Sequence, residues 1–304
     1  MKTWIGLTVI ATSLSVFGQA PKATAPVAPH RSSTHAEPST QIGSPLPMEV
    51  STSVEPHYRG MNASAIFDVL HRNIGVIKAS EYETKTQFDA RLQRIMSLPL
   101  FDGHKVGDQY TFALGGAWAG ERSFSSEGGD PLSYLRGAIQ TSYNSESQIL
   151  TVTLPIVTGM ASGMYDMAFG WGYDVRTVGH HVGQNAFGVK MAVTDSVIHE
   201  QTLDFNDADI AWLESHCEQE SARSDVKCKV PVSAARARAM DGSIRVALGS
   251  TLKEPYTAED SGTQKATIDS PYENHEVRHG LFISPNQLVI YDGRTGEVVA
   301  QYIK

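Results

Sequence analysis

Cysteine is almost missing from this chain: Cys217 and Cys228 are the two in 304 residues. A disulfide-scaffold fold is excluded by that scarcity. Positive charge is also short, with 25 Lys+Arg against 33 Asp+Glu for a net charge of -8, which repels phosphate backbones and anionic lipid and removes nucleic acid from the expected partners. No apolar run reaches the roughly 20 residues that a spanning helix needs, so a polytopic helical membrane protein is not expected. G-x-x-x-x-G-K, G-x-S-x-G and a helix-opening G-x-G-x-x-G are all absent, which removes the commonest nucleotide, hydrolase and dinucleotide signatures. No fixed-period repeat occurs, so solenoids and propellers are not expected. What remains is an ordinary globular balance, 41% hydrophobic and 19% charged.

The N-terminus has the form of an export signal. Lys2 precedes an apolar run from Trp4 to Phe17, and small residues follow at Gly18 and Ala20. This is the three-part pattern of a signal peptide over residues 1–20, with cleavage expected after Ala20 and no membrane span afterwards. No cysteine lies near that point to carry a lipid. Residues 21–57 hold Pro21, Pro26, Pro29, Pro38, Pro45, Pro47 and Pro56 among Ala, Ser and Thr. Proline fixes φ and withholds a donor, so this stretch is expected to be a disordered linker. Export to a periplasmic or extracellular space is oxidising, and there Cys217 and Cys228 are expected to form a disulfide rather than join His216 in a metal site, which would need further ligands.

Residues 58–304 are expected to form a single globular domain, β-rich after residue 104. Asn62 caps a first predicted helix carrying Ile66, Leu70 and Ile74, and Thr84 or Thr86 caps a second carrying Phe88, Leu92, Ile95 and Met96, which Pro99 stops. Runs 108–114, 147–157 and 185–198 read as strands. Between the last two lies a glycine-dense stretch, Gly159 to Gly188, whose glycines are expected at bulges and turns. Asn206 caps a helix at 207–216, in which Ile210, Leu213 and Cys217 share a face, and a short helix at 234–240 precedes the last strands. Those strands are 243–252, 264–269, 276–283, 287–292 and 297–303, an antiparallel meander turning at Ser284-Pro285-Asn286 and at 292–296. The fold class is therefore α+β, mainly antiparallel β-sheet of meander or sandwich-like form, with N-terminal helices and one disulfide-closed helix.

One motif is conspicuous. His275-Glu276-Val277-Arg278-His279 spells H-E-x-x-H, which on a helix offers two imidazoles to zinc and a Glu to activate water. The flanks oppose a helix, with Pro271 before it and Gly280 and Pro285 after it. On a strand the two histidines stand about 13 Å apart, too far to share one ion. Weaker patterns also lead to bland readings. His180-His181 are adjacent and would point to opposite faces of a strand, at the surface. Ser224-to-Lys227 and Ser250-to-Lys253 spell S-x-x-K without the companion motifs of penicillin-recognising enzymes. Asp204, Asn206, Asp207 and Asp209 suit capping better than a calcium loop, because Ala208 interrupts them. Asp166 and Asp174 could do acid-base work only if a cleft brought them together. No catalytic residue, metal ligand or cofactor is assigned. The expectation is an exported, non-enzymatic, envelope-associated binding or interaction protein with an unknown partner, the alternative being a zinc-dependent metallopeptidase or hydrolase built on residues 275–279.

Overall fold

A computed structural model describes residues 43–50, 52–73, 80–97, 99–101, 103–114, 139–158, 167–184, 187–219, 225–268 and 270–304. The signal-like segment, the linker up to residue 42 and Ile74 lie outside them.

Two helices come first. In α1 (Ala63–Asn73) the side chain of Asn62 accepts a hydrogen bond from the Ala65 N–H, and Ile66, Phe67 and Leu70 are buried. Thr84 opens α2 (Lys85–Met96) with a capping box completed by Gln87. Phe88, Leu92, Ile95 and Met96, the residues at helical spacing, pack part-buried against the core.

The strands are β1 (Pro99–Phe101), β2 (His104–Lys105), β3 (Gln109–Leu114), β4 (Gln140–Asn144), β5 (Ile149–Leu154), β6 (Ile156–Thr158), β7 (Met167–Gln184) and β8 (Lys190–Phe205). After α3 (Asp207–Ile210), which continues as a 3-10 turn, come β9 (Cys217–Gln219), β10 (Val226–Pro231), α4 (Ala234–Ala239), β11 (Ile244–Gln264), β12 (Tyr272–Asp292) and β13 (Val298–Ile303). Two sheets matter. A seven-stranded sheet has the order β3-β11-β12-β8-β7-β6, with β13 also paired to β12, and a four-stranded sheet has the order β4-β5-β10-β9. Leu150, Val152, Val226 and Cys228 of the smaller sheet share one apolar cluster with Phe112, Val246, Leu248, Leu288 and Ile290 of the larger. Burying each such side chain stabilises the fold by about 1.5–3 kcal/mol. Cys217 and Cys228 are Cα partners across β9 and β10, and the expected disulfide is formed.

The back of the large sheet is covered by a segment expected to be solvated linker. Leu46, Val50 and Val54 are buried against Ala247, Val289 and Tyr291. Gln287 Nε2 donates to the carbonyls of Pro47 and Met48, and the Val54 N–H donates to Gly296 O at 2.8 Å. Within 43–57 the prolines spare donors that no ladder requires, while every fourth residue supplies an apolar contact. The folded part therefore begins earlier than composition suggests.

Other departures from expectation have local causes. The run 147–157 divides at Pro155: β5 belongs to the small sheet and β6 to the large one. Gln264 ends β11 and residues 265–268 belong to no strand, while Ser284-Pro285-Asn286 is no turn at all and lies inside β12. Proline is tolerated there because β12 changes neighbour at that point. Its pairing with β8 ends at Phe282, and its pairing with β13 starts at Gln287. No ladder on that side asks Pro285 for an N–H. The β8–β12 pair is parallel, in a sheet whose other described pairs are antiparallel, in keeping with the expected mainly antiparallel class. The chain between them passes through α3, β9, β10, α4 and β11, a connection long enough for strands to run the same way.

Candidate functional site

Beyond the two-sheet core, β11, β12, β8 and β7 continue as a four-stranded sheet. β11 joins β12 through residues 265–271, β7 joins β8 through residues 185–189, and the parallel register of Thr194 with Tyr272 sets the two turns at the same end. Side chains alternate between its faces.

The first face carries the histidines. Register places Glu273, His275, Val277 and His279 of β12 beside Asp195, Val197, His199 and Gln201 of β8. At its inner end α1 covers it: Phe67 stacks on His279 with ring centroids 4.3 Å apart. Burial lowers the pKa of His279 from 6.5; Glu259 and Asp68 oppose that shift, and His199 and His71 add to it.

This geometry takes the H-E-x-x-H string apart. His275 and His279 lie on one face of a strand, where His275 Nδ1 is 3.3 Å from the Thr263 hydroxyl and His279 Nε2 is 3.7 Å from Glu259. Glu276 lies on the opposite face, 3.2 Å from Arg278, whose Nε donates to the buried Glu200 at 2.7 Å. Two imidazoles about 13 Å apart and a carboxylate facing away cannot assemble a zinc-bound water and its base.

The outer end brings together residues that the sequence kept separate. His181 of β7, Asp195 of β8 and Glu273 of β12 place a ligand atom each within 4.8 Å of one another, the one such group of three among the described residues. His181 Nδ1 is 3.0 Å from Asp195 Oδ2. A bulge in β7 sets this up. Thr177 pairs with Ser196 and Gly179 with Asp195, so Val178 is the extra residue, and from there His181 rather than His180 faces the acids. His180 turns to the other side, toward the Thr194 hydroxyl. The opposite-face expectation for the His pair thus holds, but His181 is not an isolated surface residue.

Around the two turns the surface is apolar and exposed. Phe187 is 91% exposed, Val182 67% and Ile268 61%, with Val189 and Tyr272 about half exposed. Lys190 and Lys265 are exposed beside them.

The remaining patterns are structural. Ser250 and Lys253 lie an odd number of residues apart on β11, and Lys253 is bound to Asp209 at 2.9 Å. Asn206 and Asp209 cap α3 reciprocally, as the capping reading expects. Ser224 and Asp166 lie outside the described residues. A half-open cleft of about 330 Å³ between β4 and α4, lined by Ser142, Tyr143, Arg238 and Asp241, is at the small end for a ligand pocket. Comparison with protein families, curated proteins and solved structures finds no match to the chain.

Proposed function

We propose that this chain is an exported, envelope-associated binding protein on a sandwich-like α+β scaffold, and that it engages the surface of a membrane through the apolar side chains at the end where its two long hairpins turn. The supporting observation is the exposed apolar group Val182, Phe187, Val189, Ile268 and Tyr272 at those turns. Solvent-exposed aromatic and branched side chains gathered at one end mark an interaction surface. Lys190 and Lys265 are offset at that end by Asp195 and Glu273, and the chain carries a net charge of -8, so apolar burial rather than charge carries the contact. The disulfide and the signal-like residues 1–20 are compatible with export. Among the described residues no helix is long and apolar enough to cross a membrane.

Two measurements test the reading. Export predicts that the protein outside the cytoplasm begins at Pro21 by intact mass, and a full-length chain retained inside would sink it. For binding, the oxidised protein should sediment with phosphatidylcholine vesicles, and including phosphatidylglycerol should weaken sedimentation at low salt. Phe187→Ser combined with Val182→Ser should abolish sedimentation. Failure to sediment with either vesicle, or undiminished sedimentation of the double variant, overturns the assignment.

A further inference from the structure

We infer that His181, Asp195 and Glu273 form a binding site for one divalent transition-metal ion of the zinc or manganese type. The site draws one residue from each of three adjacent strands, on one face, with ligand atoms within 4.8 Å of one another. An ion at their centre needs donors only about 2.0–2.2 Å away, so small rotations of the side chains close the cage. The β7 bulge at Val178 places His181 rather than His180 on the face that holds the two acids. One feature beyond the cluster points the same way. Position 179 is glycine, and a Cβ there would stand 3.3 Å from Asp195 Oδ2, so the missing side chain leaves that carboxylate oxygen approachable.

Electrostatics favours an occupant. Asp195 and Glu273 are direct register partners on neighbouring strands, and like charges side by side across a sheet are unfavourable. A bound cation reverses that sign and ties β7, β8 and β12 together near the turns. One imidazole nitrogen with two carboxylates is a mixed N,O donor set, which suits zinc or manganese better than the all-oxygen sites preferred by calcium and magnesium. Three protein ligands on a partly exposed face leave positions for water. The inference does not rest on the membrane reading, because zinc binding in solution is scored without lipid and vesicle binding is scored without zinc.

The test uses the oxidised chain from Pro21, stripped with chelator and titrated with zinc, manganese and calcium chlorides by calorimetry. One zinc per chain is expected, bound at least 100-fold more tightly than calcium. His181→Ala, Asp195→Asn and Glu273→Gln should each weaken zinc at least tenfold, and Gly179→Val should weaken it while leaving all three ligands in place. His275→Ala should match the parent. The visible spectrum of the cobalt-loaded chain provides a second readout: its intensity should collapse in His181→Ala while circular dichroism stays that of the parent. Absence of stoichiometric zinc at micromolar concentration overturns the site. So does parental affinity in all four site variants, which would put the ion elsewhere.

Discussion

The imidazole of His279 lies flat on the ring of Phe67, with centroids 4.3 Å apart and planes 8° from parallel, and Phe67 in turn stacks with His71 at 5.4 Å. This pile joins α1 to the strand that carries the H-E-x-x-H string. It works best with His279 uncharged, because burial penalises the imidazolium more than Glu259 and Asp68 favour it. In the unfolded chain a histidine titrates near 6.5, and in the folded chain His279 titrates below that. Its stabilising contribution is therefore complete above about pH 6.5 and is lost as pH falls through the lowered value. Urea midpoints at pH 8 and pH 5 should differ by less in His279→Gln than in the parent. An equal difference in both would show that other groups carry the acid sensitivity.

The N-terminal strap makes a sharper prediction at the turn it crosses. Gly296 has φ +77°, and a Cβ there would stand 2.1 Å from the Val54 carbonyl oxygen. Gly296→Ala therefore meets both a left-handed backbone and a backbone collision, and should cost about 1–3 kcal/mol. It should also lift the strap. Proteolysis within residues 43–58 ought to speed up in Gly296→Ala, and cleavage at the parental rate would contradict the docking of that segment.

The disulfide closes a short loop, and in the chain-entropy description a loop of that size contributes about 3 kcal/mol by restricting the unfolded state. Cys217 and Cys228 are both buried. Native protein should thus resist alkylation in mild reductant, and the urea midpoint should fall after reduction under unfolding conditions and refolding. An unchanged midpoint would assign the bridge no stabilising role.

Much of this architecture can be read from short-range chemistry. The Thr84–Gln87 and Asn206–Asp209 capping boxes are local hydrogen bonds, and the two cysteines needed only an oxidising compartment. The strand setting of residues 275–279 followed from Pro271, Gly280 and Pro285. What stayed hidden depends on pairing partners far away in the chain. Pro285 signals a turn to any local reading and is accommodated only because β8 ends and β13 begins beside it. Leu46, Val50 and Val54 look like stray apolar residues among prolines until Ala247 and Val289 are found beneath them. The grouping of His181, Asp195 and Glu273 needed a bulge and a parallel register, neither of which has a signature in composition. The glycines around the bulge were the available hint.

The far side of β12 supplies the last test. Glu200 is 3% exposed, and Arg278 Nε reaches its carboxylate at 2.7 Å while the other end of the guanidinium meets Glu276 at 3.2 Å. Withdrawing the guanidinium strands negative charge in a buried setting, and breaking such a pair from one side costs about 3–5 kcal/mol. Arg278→Met should fall in that range by urea denaturation, whereas Arg278→Met with Glu200→Gln should recover a large part of the loss, since the buried group is then neutral. If the double variant is as unstable as the single one, packing of the arginine stem rather than charge holds this part of the sheet.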